Sequence, residues 1–276
     1  DSMVEQADPV PPEVAAAIPE ASFPTYLLFE RAVRGMRSIL RNFPEAGIRR
    51  NLLTIVDFDQ KTEGRRFLVL NLETGRVLFQ TWAQHGANSD QDRDRQPESF
   101  SNVDSSYQSS AGFLLTARSP YEGNFGYSLR MHGIDGELNS LVHSRAIVIH
   151  PWPSLHPRGV ATLDAYNTSL GCISLPWYES GKFYGLRDQP LSKLIVDTIK
   201  NRSVIFVSSS AIDLERESLY LASDARLPAS KRTEILGRLS REHSLHPTAS
   251  EIAPVPAEYS RWKPSRAPTK DLADPQ

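Results

Sequence analysis

A chain of 276 residues, 39% of them hydrophobic, has the length and apolar content for one sizeable core with extensions. A formal net charge of −2 and a pI near 6.4 exclude the broad basic footprint that charge-driven nucleic-acid binding needs. No apolar run reaches the ~20 residues that span a bilayer, so no transmembrane segment is expected, and the first residues lack the order of a secretory signal.

In chain order, residues 1–22 carry Pro9, Pro11, Pro12 and Pro19 among small and acidic residues and read as an extended lead-in. Phe29, Val33, Met36, Leu40 and Phe43 then recur at steps of four and three, which predicts one face of an amphipathic helix. Ser22 and Pro24 suit its start, and Pro44 or Gly47 its end. From residue 51 the period changes to that of strands: "NLLTIVDF", then "RFLVLNL" and "RVLFQTW" joined by "ETG" as a β-hairpin. Residues 86–110 are polar and aperiodic, a long loop of the kind that is often functional. Further strands are expected at 111–117, 127–134, 144–151 and 203–209, with a helix over 190–201. Residues 210–241 read as helical, most clearly at "KRTEILGRL", and the chain from 247 onward is Pro-rich. The expected architecture is a mainly β domain, sandwich or barrel-like, over residues 23–209, preceded by a lead-in (1–22) and followed by a helical and Pro-rich extension (210–276).

The single cysteine, Cys172, sits in "SLGCISLP". One cysteine makes no internal disulfide, and a thiol attacks well only as a thiolate, which requires a base or cation within reach. Of seven histidines, His150 is the best placed, because it ends the apolar run "SRAIVIH", 22 residues before Cys172. A ring at the exit of a buried strand is held rigidly and still reaches solvent. Gly171 lets backbone approach a substrate carbonyl, and the N–H groups of 171–173 are candidates for an oxyanion hole. No H-E-x-x-H and no G-x-S-x-G occurs, and His150, His156 and Asp164 match no familiar ligand spacing, so neither a metal site nor a serine triad is expected. "GIDGELNS" lacks the spaced acids of a calcium loop.

"SRAIVIHPW" followed by "SLGCISLP" resembles the catalytic domain of the L,D-transpeptidases (YkuD-type), and in particular a divergent branch of them. "LTIVDFDQKTEGRRFLVLNLETGRVLFQTWAQHGANSD", "SSYQSSAGFLLT" and "YEGNFGYSLRMHGIDGELN" resemble its upstream segments in the same order. The resemblance implies Cys172 as nucleophile, His150 as general base and Gly171 in the oxyanion region. It departs at Pro151 (usually Ser or Gly), at Leu170 (usually His) and at Ser174 (often Arg). Without that Arg, Arg130 and Arg145 become the candidates to hold a substrate carboxylate. The resemblance also brings His85, Gly86 and Ser109 beside the cleft. Tyr127 is a candidate cleft wall, and Trp152 and Trp177 flank the two key residues in sequence. The implied partners are peptidoglycan stem peptides, as donor and acceptor, with no cofactor and a periplasmic location. The implied donor acyl group is diaminopimelate, as in the common branch, or L-Ala, as in some members of the divergent one. A hydrolase using the same pair and a non-catalytic wall-binding module are the alternatives.

Overall fold

The structure is a computed structural model and describes residues 26–152, 155, 168–177, 190–222 and 226–240. The lead-in, the expected helix start at Ser22 and Pro24, and the tail from 247 onward lie outside the described residues, as do His156 and Asp164.

Helix α1 (Tyr26–Asn42) buries Leu28, Phe29, Ala32, Val33, Met36 and Ile39, the face that the apolar spacing predicts. It stops directly before Phe43 and Pro44. β1 (Leu52–Asp57), β2 (Phe67–Asn71) and β3 (Arg76–Thr81) follow, with β2 and β3 pairing as the expected hairpin. Gly75 turns between them with φ 63°. β4 (Gly112–Thr116), β5 (Tyr121–Gly123), β6 (Gly126–Gly133), β7 (Val148–Trp152) and β8 (Ile173–Pro176) come next. α2 (Leu191–Ile199), β9 (Val204–Ser208), the short α3 (Leu214–Glu217) and α4 (Ala229–Ser240) complete the described elements.

Eight strands run in the order β3-β2-β1-β9-β4-β6-β7-β8, with β5 added to β6. The sheet curls into a nearly closed barrel. Beyond β3, the Gln84 N–H donates to Ser174 O at 3.1 Å, and Gly86 bridges Ser169, so the two edges meet beside the cysteine segment. The expectation of a mainly β fold with helices at either end holds.

Strands β1, β9 and β4 are buried on both faces, which is why they read as apolar runs without alternation. One face (Leu53, Ile55, Phe113, Leu115, Val204, Phe206) packs on α1, and the other (Val56, Leu114, Ile205, Val207) joins Leu129, Ile149, Ile173, Leu175 and α2. From the C-terminal extension, Leu214, Tyr220, Leu221, Ile235 and Leu239 enter the same core as α1.

Three expectations are corrected. Residues 144–147 do not form strand, because Arg145 N–H donates to Leu141 O (2.8 Å) and Ile147 N–H to Val142 O (3.0 Å), coiling the chain through Ala146 at φ 53°. β5 and β8 are strands that the pattern does not signal, being three and four residues long. Among the described residues of 210–240 only α3 and α4 are helical, and between them Ser218 Oγ and Leu219 N–H donate to Asp135 on the barrel.

Gly35 lies where α1 crosses β4, and a Cβ there would meet the Phe113 ring at 1.9 Å. Alanine is the better helix former, yet Gly35→Ala is expected to destabilise the protein by about 1–3 kcal/mol through overpacking. A urea-unfolding midpoint at or above the wild-type value would contradict this.

Candidate active site

β7 and β8 run parallel, with Ile149 beside Ile173 and His150 beside Ser174. Because side chains alternate along a strand, Ile149, Ile173 and Leu175 point into the core. Cys172, His150, Ser174 and Trp152 point to the other face and line one pocket. The pocket is completed by Gln84, Phe125, Thr168, Ser169 and Leu170. Two segments separated by 22 residues thus deliver thiol and imidazole to one cleft.

His150 is held from three sides. Its Nδ1 lies 2.9 Å from Pro151 O. A carbonyl only accepts, so Nδ1 carries the proton and Nε2 presents its lone pair. Ser174 Oγ sits 3.0 Å from that Nε2 and therefore donates to it. Phe125 stacks on the ring with centroids 4.5 Å apart, and Trp152 meets it edge-on at 6.0 Å. Burial drives the imidazole pKa down to about 4, against the Pro151 contact, so the ring is neutral at pH 7.

Cys172 keeps partial exposure. Its Sγ accepts from Val148 N–H at 3.5 Å and faces Ala146 O at 3.8 Å. Protein atoms around the sulfur push the thiol up to about 11, while the Val148 N–H and the Arg145 cation pull the other way. The resting pair therefore holds its proton on sulfur.

The elbow before the cysteine is built by Ser169. Its Oγ donates to Cys172 O (2.7 Å) and accepts from Gly171 N–H (3.1 Å), and its N–H donates to His85 O (2.7 Å). The Gly171 N–H is thus already engaged on Ser169 Oγ, and Ile173 lies in the β7–β8 ladder. Gly171 has φ +110°, and a Cβ there would meet Gln108 O at 2.7 Å and Ile147 Cδ1 at 2.8 Å.

The remaining expected residues divide. Arg145 reaches the site but is spent on the loop: Nη1 donates to Ser101 O (2.6 Å) and Ser110 Oγ (2.7 Å), and Nη2 to Ser106 Oγ (3.0 Å) and Gln108 O (2.8 Å). It shapes the loop wall and supplies positive charge to the sulfur. Arg130 pairs with Val148 across β6 and β7, in the row that leads to Cys172, and its guanidinium lies half-exposed over Tyr121 at 5.2 Å.

His85 is not in the cleft. Its ring is 1% exposed, its Nδ1 accepts from Arg66 Nη2 at 2.8 Å, and burial with the Arg66 charge holds its pKa far below the usual histidine value. What it offers the site is its carbonyl, which accepts from Ser169. Ser109 is likewise buried, its Oγ accepting from Gly86 N–H at 2.9 Å. Gly86 is needed for close approach, because a Cβ there would meet Tyr107 O at 2.4 Å. Tyr127 faces α2 instead of the cleft, donating to Asp197 Oδ1 at 2.7 Å beneath Lys193.

Sequence reasoning missed Ser174, Phe125, Ser169 and Gln84. Only Ser169, three residues before the cysteine on a tight turn, carried a local signal. Among the described residues, Asp90, Asp92 and Glu98 bring carboxylate oxygens within 4.8 Å of one another. They serve the turns of their own loop, accepting from the N–H groups of Arg95, Asp94 and Gln91. No helix of the described residues is long and apolar enough to cross a membrane.

Searches of curated proteins and of solved structures returned no match. A family model described as the L,D-transpeptidase catalytic domain matches residues 25–208, two thirds of the chain, spanning β1 to β9 and both halves of the cleft. The chain therefore belongs to the L,D-transpeptidase catalytic-domain family.

Proposed function

We propose that this chain exchanges peptide bonds between peptidoglycan stem peptides through an acyl-thioester on Cys172, with His150 as general base. One observation carries the reading: the sole thiol and a neutral, lone-pair-bearing imidazole line the same pocket from adjacent parallel strands.

Because the thiol sits near 11 and the imidazole near 4 at rest, the ion pair is not preformed. The proton leaves sulfur as the S–C bond to the donor carbonyl forms, which is general-base catalysis. The backbone N–H of Cys172 meets the oxyanion. The C–N bond then breaks, and the leaving amine takes the proton from His150. An acceptor amine attacks the thioester, forms the new amide and releases the thiol. Among the described residues, the pocket walls include Phe125, Trp152 and Leu170. Either diaminopimelate or L-Ala serves as the donor acyl residue. Arg130, on the same sheet face, is the cation for a more distant carboxylate. Such a substrate implies a periplasmic location.

Incubation with purified muropeptides, read by product mass, tests this. Cross-linked dimers are expected, and none with Cys172→Ala. Trimmed monomers would make the enzyme a hydrolase on the same site. Unchanged substrate, under conditions where Cys172 is intact, would remove the reading.

A further inference from the structure

The base and the nucleophile share a pocket but not a hydrogen bond. His150 Nε2, the one ring atom able to take a proton, is occupied by Ser174 Oγ at 3.0 Å. The ring is not free to turn toward sulfur: Pro151 O holds Nδ1 at 2.9 Å and Phe125 covers one face at 4.5 Å. Both His150 and Ser174 are buried, at 3% and 0% exposure. Ser174 lies in β8, two residues after Cys172, which stands immediately before the strand, and both side chains line the same pocket. The hydroxyl gives its hydrogen to Nε2 and keeps lone pairs to accept another.

Resting on the reading of Cys172 and His150 as the reacting pair, we propose that Ser174 is the proton carrier between them. As the thiol swings from Ala146 O toward the substrate carbonyl, its S–H donates to Ser174 Oγ. The S–H bond breaks as S–C forms, an O–H bond forms on Ser174, and the hydroxyl's original hydrogen passes to Nε2. Ser174 ends as a hydroxyl, His150 as imidazolium, and the reverse passage delivers the proton to the leaving group. The strands impose this geometry, because the β7–β8 register sets Ser174, not Cys172, beside His150.

The test uses acetylation of the full chain by p-nitrophenyl acetate, followed as the burst of nitrophenolate, so it requires no stem peptide. Removing an acid–base partner costs about 10²–10⁴-fold, and His150→Ala is expected to slow the burst by that amount. Ser174→Ala is expected to lose at least about tenfold, and Ser174→Thr, which restores the hydroxyl, to recover most of it. In the His150→Ala background, Ser174→Ala should add nothing further, since two members of one chain are not additive. The burst rate against deuterium fraction should bow for the wild type, with two protons in flight, and be linear for Ser174→Ala. A Ser174→Ala burst as fast as or faster than wild type overturns the proposal, showing a hydroxyl that only caps the base. So does an equal loss in both backgrounds, or a burst that survives Cys172→Ala with the acetyl group on Ser174. If the burst behaves as expected but muropeptides are untouched, the relay stands and the substrate assignment falls.

Discussion

Gly171→Ala is expected to slow acylation of Cys172 by about a hundredfold or more while the chain stays folded. The residue holds φ +110°, a conformation that an L side chain adopts only under strain. A Cβ would also press on Gln108 O at 2.7 Å and Ile147 Cδ1 at 2.8 Å. Gln108 cannot yield cheaply, because its carbonyl is one of the four acceptors that fix Arg145. The strain, about 1–3 kcal/mol, is instead relieved by moving the elbow. Ser169 Oγ bonds both Gly171 N–H and Cys172 O, so that movement carries the sulfur with it. A displacement near 1 Å at the nucleophile is enough for the loss.

The measurement is the nitrophenolate burst set beside a melting curve. A small drop in melting temperature with a large drop in burst rate is the expected pattern. A wild-type burst would mean that the elbow tolerates a side chain and that the thiol's placement does not depend on it.

The same elbow shows where sequence reasoning works and where it stops. Cys172 and His150 were legible because each stands at a chain-local landmark: a glycine turn, and the end of an apolar strand. Helix α1 was legible because its burial follows the 3.6-residue period. Ser174 was not, because its meaning lies in a lateral contact set by the β7–β8 register. Read along the chain, it is only a polar residue inside an apolar run. His85 was misplaced for a related reason. Its landmark is a strand exit, like that of His150, but the fully buried Arg66 claims its ring from 19 residues upstream. Arg145 and Tyr127 followed the same pattern, their polar ends captured by the 101–110 loop and by Asp197. Exposed polar ends are assigned by tertiary neighbours, and pattern carries no information on those.

Asp135→Ala is expected to be the most destabilising single change away from the cleft, at about 3–5 kcal/mol. Asp135 is fully buried and gathers three donors: Phe113 N–H (3.0 Å) and Ser218 Oγ (2.8 Å) on Oδ2, and Leu219 N–H (2.7 Å) on Oδ1. It ties β4 to the segment after α3, whose Tyr220 and Leu221 pack in the core with α1. Alanine would orphan two backbone N–H groups, each costing about 1–3 kcal/mol when buried without a partner. Denaturant unfolding checks the size, and its pH dependence checks the cause. Burial raises the Asp135 pKa from 3.8 to about 6 against the pull of its three donors. Between those values the folded state binds more protons than the unfolded one, so this group's contribution to stability falls as pH rises. The stability gap between wild type and Asp135→Ala should therefore be largest below about pH 4, narrow up to about pH 6 and stay level above it. A gap that widens with pH across that window would show that the donors outweigh burial, and that the carboxylate is the form the fold prefers.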